Sequence, residues 1–117
     1  MPEAMLDSPP TNIIDAMTNH PGDRHVLATA VQVGAEIIVT ENKKHFLPTD
    51  CLPHGIRALT LDEFVLDLVS LNVEAVAAAI DEMATRRKAP PTSTKELRQI
   101  LGERYIPKSI EALPYQD

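Results

Sequence analysis

The chain has 117 residues, 44% of them apolar and 24% charged, with a formal net charge of −6 at pH 7. That size allows one domain-scale core, and the negative charge opposes broad electrostatic binding of nucleic acid, though not an acidic site that reaches phosphates through divalent metal ions. No apolar run approaches the ~18 residues of a membrane span. The start MPEAMLDSPP lacks the basic and long apolar parts of a signal peptide. With Cys51 as the one cysteine, no internal disulfide forms, and a cytoplasmic protein is expected.

Residues 1–12 read as a proline-rich lead-in, and NIIDAM as a helical turn. In NHPGD, Pro21-Gly22 punctuates a turn and Asp23 stands as the N-cap of a helix. RHVLATAVQVG places Val26, Leu27, Ala30, Val31 and Val33 on an apolar face, with Gly34 closing the helix. AEIIVT follows as a short strand, fully buried because Ile37, Ile38 and Val39 show no polar alternation. IRALT is a second strand, and Thr60 with Glu63 forms a capping box for a helix whose face is Leu61, Phe64, Val65 and Leu68. NVEAVAAAIDEMATRRK is a further helix, with Val73, Val76, Ala77, Ile80 and Met83 on one side and basic residues at its end. After APPTST, Ser93 or Thr94 caps KELRQILGERY, and Pro107 begins a last short helix, KSIEAL. With no Trp and aromatics only at Phe46, Phe64, Tyr105 and Tyr115, the core is expected to be aliphatic. A sheet stable by itself needs about three strands. Two strands leave this fold incomplete, so strands from another chain or a swapped copy are expected.

PGDRHVLATAVQVGAEIIVTENKKHF followed by LPHGIRALTLDEFV resembles the C-terminal half of PIN-domain proteins, metal-dependent ribonucleases that include the VapC toxins of toxin–antitoxin pairs. The likeness spans residues 15–103 and is most specific in Asp23-Arg24-His25 and the Thr40-x-Asn42 strand ending. It implies an α/β fold with a PIN-like three-layer parallel sheet, incomplete in this chain. Residues 1–71 would be the C-terminal part of the domain and 72–117 a helical extension. It also implies an acidic site fed from both halves of the family's chain, with Asp23 as the catalytic, metal-binding third acid and Asn42 as the fourth polar group. Thr40, Arg24, Lys43, Lys44 and His45 would then lie along the substrate, and Mg²⁺ or Mn²⁺ would be the cofactor. His45 stands where the family often has an Asp before Phe46, and the family's N-terminal half, with its first acids, has no counterpart here.

Each of these residues also has a simpler role. Asp23 needs no metal to serve as a cap. Asn42 suits a left-handed turn after a strand and is a neutral, weaker oxygen donor than Asp. Arg24 in a first helical turn is ordinarily solvated, as are paired lysines on a turn and the basic run at 86–88. Zinc is not expected, because the pairs His20-x4-His25 and Cys51-x2-His54 are too loose to read as a ligand set. Three readings follow: a PIN-type endoribonuclease toxin, inactive alone; a non-catalytic module that binds a partner through its sheet edge and helical tail; and a fragment of a complete nuclease. RNA, an antitoxin, and either a second copy or the N-terminal half are the expected partners, with no membrane.

Overall fold

The computed structural model describes residues 9–114, so most of the proline-rich lead-in lies outside the described residues. The chain divides into two compact units, Met1–Thr60 and Leu61–Asp117. The helix that starts at Leu61, assigned from sequence to a first part running to residue 71, therefore belongs with the helical unit.

In the first unit a short helix α1 (Thr11–Ala16) leads through a 3₁₀ turn at Pro21–Asp23 into α2 (Arg24–Val33). Gly34 stops α2 with φ +71°, a left-handed conformation that glycine adopts without strain, and its N–H closes on the Ala30 and Val31 carbonyls. Strand β1 (Ile37–Val39) follows at once and pairs in parallel with β2 (Arg57–Leu59), Ile38 lying opposite Ala58. Between the strands the chain makes a 3₁₀ turn at Lys43–His45, a short helix α3 (Pro48–Cys51) and another 3₁₀ turn, Leu52–His54. Leu27, Ala28, Ile56 and Cys51 are sealed from solvent, with Ile38, Phe46 and Met17 around them. The expected full burial of β1 is corrected: Ile38 is buried, but Val39 is 46% exposed. Adjacent strand residues face opposite sides, and among the described residues helix and core cover only the Ile38 side. Val26 and Val33 likewise turn outward, because α2 packs through Leu27, Ala28 and Ala30.

The second unit is helical: α4 (Leu61–Leu71), α5 (Val73–Arg86), α6 (Thr94–Arg104) and α7 (Pro107–Glu111). Its core is aliphatic and alanine-lined, with Val69, Ile80, Ala84, Leu97 and Leu113 buried. The expected faces are shifted here, since Leu61, Leu68 and Met83 are exposed while Val69 and Ala84 are buried. Helices packing on helices select the stripe that meets a neighbour, which apolar spacing on one helix cannot report. Asn72 caps α5 by accepting Ala75 N–H at 3.0 Å. Ser93 and Glu96 form a reciprocal capping box on α6, at 3.1 Å and 3.0 Å. Among the described residues no helix is long and apolar enough to cross a membrane. The unit also holds an apolar cavity of about 460 Å³ walled by residues of α4, α5 and α6, with Leu71 at its edge 82% exposed.

Candidate metal centre

Two 3₁₀ turns build the site. In a 3₁₀ helix side chains three apart eclipse one another, so the Pro21–Asp23 turn sets His20, its N-cap residue, and Asp23 on one side. His20 Nδ1 accepts the Gly22 N–H at 3.1 Å. The second turn, Lys43–His45, forms because the Thr40 hydroxyl accepts Asn42 N–H at 3.0 Å just beyond β1 and the Asn42 carbonyl accepts His45 N–H at 2.9 Å. Phe46, buried in the core, anchors its far end. His20 N–H donates to the His45 carbonyl at 3.3 Å and ties the two turns together.

The side chains converge accordingly. His45 Nδ1 lies 2.6 Å from Asp23 Oδ2, and the His20 and His45 rings stack with centroids 3.9 Å apart and 17° between their planes. One ligand atom from each of His20, Asp23 and His45 falls within 4.8 Å of the other two. Asp23 holds the N-cap position of α2 but makes no side-chain capping hydrogen bond, contrary to the simple cap reading; its carboxylate turns to His45 instead. The site sits at the N-terminal end of α2 and on the chain that leaves the carboxyl end of β1, the position at which open α/β sheets carry their sites.

The other sequence-named residues divide. Thr40 and Asn42 shape the turn that delivers His45. Arg24 is directed away: its Nε donates to the Asn19 carbonyl at 2.9 Å, while Asn19 Nδ2 donates to the Asp23 carbonyl at 3.1 Å, so both brace the turn that carries Asp23. Asn19, 2% exposed, had no signal in the sequence, and its buried Oδ1 has no hydrogen-bond partner among the described residues. Lys43 and Lys44 line an adjoining, mainly apolar cavity of about 490 Å³ together with Arg57, Phe46 and Ile56. Cys51 is sealed in the core, and burial, with the Asp50 charge adding to it, pushes its thiol above the ordinary range, which unsuits it as ligand or nucleophile. His20 is the residue that spacing passed over, since with His25 it makes a pair too loose to read as a ligand set. The fold sets it beside Asp23, three residues on, and against His45, 25 residues on.

Comparison with known proteins adds two findings. A family model described as the VapC50 C-terminal domain matches residues 61–113. Over 93 residues, 79% of this chain, the sequence is 48% identical to a Mycobacterium tuberculosis (strain ATCC 25618 / H37Rv) protein named "Putative ribonuclease VapC50". The match covers 54% of that relative, so the chain spans about half its length. No solved structure matches the chain significantly.

Proposed function

Because the chain belongs to the VapC-like PIN-domain proteins and corresponds to their C-terminal part, we propose that it serves as the ribonuclease toxin of a toxin–antitoxin pair, acting in the cytoplasm. The observation that carries this reading is the Asp23 carboxylate, freed from capping and turned toward His45 where α2 begins and β1 has ended. RNA phosphodiester hydrolysis is the proposed reaction, an antitoxin the proposed protein partner, and the PIN-type three-layer sheet the proposed complete fold. Lys43 and Lys44, at the lining of the neighbouring cavity, are the proposed contacts to the RNA backbone. Asn42 and Thr40 keep the turn in place.

Magnesium, the cofactor the resemblance implies, does not suit the groups assembled in this chain. Mg²⁺ wants several hard oxygen donors in octahedral array. The cluster offers one carboxylate, already bonded to His45, and two imidazoles. The proposed chemistry is therefore incomplete in this chain alone, and no step is assigned to that ion. Incubation of a long unstructured RNA with the chain and millimolar Mg²⁺ or Mn²⁺ should give little or no cleavage. Vigorous cleavage abolished by Asp23→Ala would mean that the carboxylates needed are present after all.

A second reading, a non-catalytic module, draws on the second unit. Its apolar cavity and exposed Leu71 suit a protein partner or a second copy. Sedimentation of the chain as a monomer at micromolar concentration, unchanged by Leu71→Asp, would dispose of a homodimer built on that surface.

A further inference from the structure

We infer that His20, Asp23 and His45 bind a borderline divalent transition ion of the zinc type, in place of the hard ion a carboxylate cluster would hold. The inference rests on the donor set and its geometry, independently of ribonuclease activity. Two imidazoles and a carboxylate are a zinc-type donor combination, and divalent zinc, cobalt and nickel all accept imidazole. Magnesium prefers carboxylate, carbonyl and water oxygen.

The backbone already holds the three ligands. Two 3₁₀ turns, joined by the His20 N–H to His45 carbonyl bond, fix the Cα positions, so only side-chain rotation separates the free arrangement from a loaded one. Zinc bonds to nitrogen and oxygen of about 2.0–2.2 Å put tetrahedral donors roughly 3.3 Å apart. The present donors lie within 4.8 Å of one another, with Asp23 and His45 closer, at 2.6 Å. Loading opens that hydrogen-bonded pair, closes His20 onto it, and puts three metal–ligand bonds in place of the hydrogen bond. His45 ligates as a neutral imidazole, so when Nδ1 takes the metal the ring's one proton sits on Nε2 and the carboxylate binds as the anion. His20 Nδ1 accepts Gly22 N–H through the one lone pair of a neutral imidazole, so ligation by His20 gives up that hydrogen bond, at the exposed end of the turn where water can replace it. Three protein donors leave a coordination position for an external oxygen ligand. Asn19 and Arg24 brace the backbone of the Asp23 turn and so position the carboxylate without ligating. His25, Cys51 and His54 play no part, and Cys51 is buried in the core.

The test uses the full chain, stripped by chelator and then titrated with Co²⁺ and Zn²⁺, following visible absorption and heat. One equivalent of Co²⁺ should give the d–d band of a low-coordinate ion, Zn²⁺ should displace it, and Mg²⁺ at about a hundredfold excess should not. His20→Gln and His45→Gln should each weaken Zn²⁺ binding by at least about tenfold, as loss of a ligand does. His25→Gln and His54→Gln should leave it unchanged. Because His20 is exposed, its variant keeps the test decisive if His45→Gln fails to fold by circular dichroism. His45→Asp should shift preference away from Zn²⁺ toward Mn²⁺ and Mg²⁺, which loss of structure would not do. Zinc affinity indifferent to His20→Gln, or Co²⁺ displaced by equimolar Mg²⁺, overturns the assignment. Vigorous Mg²⁺- or Mn²⁺-dependent RNA cleavage by a chain that also binds zinc through these residues would overturn the incompleteness argued under the proposed function and leave this site standing.

Discussion

The two units put the same kinds of polar residue at helix starts and use them differently. In the helical unit Asn72 and Ser93 each accept a backbone N–H near the start of the helix they cap. Asp62 accepts the N–H groups of Lys108 and Ser109 and the Ser109 hydroxyl, at 2.7–3.0 Å, and so fastens α7 to α4. In the first unit Asp23 stands at an equivalent cap position, yet its carboxylate meets His45 while the first N–H groups of α2 receive nothing from it. Side chains that satisfy backbone groups stabilise a helix. One that declines an available cap to meet a histidine has another use, and such local exceptions mark functional positions.

The contrast should vanish in the cores, where both units depend on sealed aliphatic side chains. Leu27→Ala and Leu97→Ala remove side chains that are 0% and 1% exposed, and each is expected to cost about 2–5 kcal/mol in denaturant unfolding. A negligible loss for Leu27 alone would mean that the first unit is not independently packed.

Asp62 comes next in size. Its replacement by Ala strands the Ser109 N–H, while the buried Ser109 hydroxyl keeps the backbone carbonyl of residue 62 as acceptor at 2.9 Å, at an expected cost of about 1–3 kcal/mol. Desolvation pushes the Asp62 carboxyl up, but the Ser109 hydroxyl, the two backbone N–H bonds and the Lys108 charge outweigh it and hold the group below its ordinary value. The folded chain therefore releases this proton more readily than the unfolded chain does. The resulting stability is whole above the ordinary value of 3.8 and is lost as pH falls through the lower folded value. Below about pH 4 the native chain should lose stability more steeply than Asp62→Asn. Equal slopes would show that Asp62 is held no better in the folded state than in the unfolded one.

Local signals made most of the helices legible. Gly34 ends α2, Ser93 with Glu96 opens α6, and Pro107 opens α7, because a left-handed stop, a capping box and a first-turn proline each need only a few neighbouring residues. Both strands were visible as short apolar runs, and a parallel sheet was what the resemblance implied. What spacing could not supply was the exposure of Val39, which depends on what covers the sheet, or the meeting of His20 with His45, which depends on two 3₁₀ turns and a backbone hydrogen bond between them. Arg24 was misread for a related reason. A first-turn arginine looks solvated until the carbonyl of Asn19 is folded back within its reach. The resemblance pointed to Asp23 and allowed for an oxygen-rich site, but the residues around it make the site nitrogen-rich.

The smallest expected effect is the one that tests the comparison most directly. Ser93→Ala deletes a working N-cap and should cost about 1 kcal/mol. Asp23→Ala deletes a residue of the type that caps best, so a cap-based reckoning predicts a similar loss. Its carboxylate makes no capping bond, however, and what it loses is a pairing with a His45 side chain 24% exposed, from a side chain itself 30% exposed. Partly solvated pairs of this kind contribute about 0.2–1 kcal/mol. Removal of the carboxylate also leaves His45 free to meet solvent, which softens the loss further. Asp23→Ala should therefore cost about 0.5 kcal/mol or less in metal-free buffer, and Asp23→Asn about the same. In zinc the two chains should part: the native chain gains stability with rising Zn²⁺ as a ligand bound to the folded state requires, while Asp23→Ala gains far less. A full cap-sized loss without metal would put Asp23 back among the ordinary helix caps, and the two units would then use their polar residues alike.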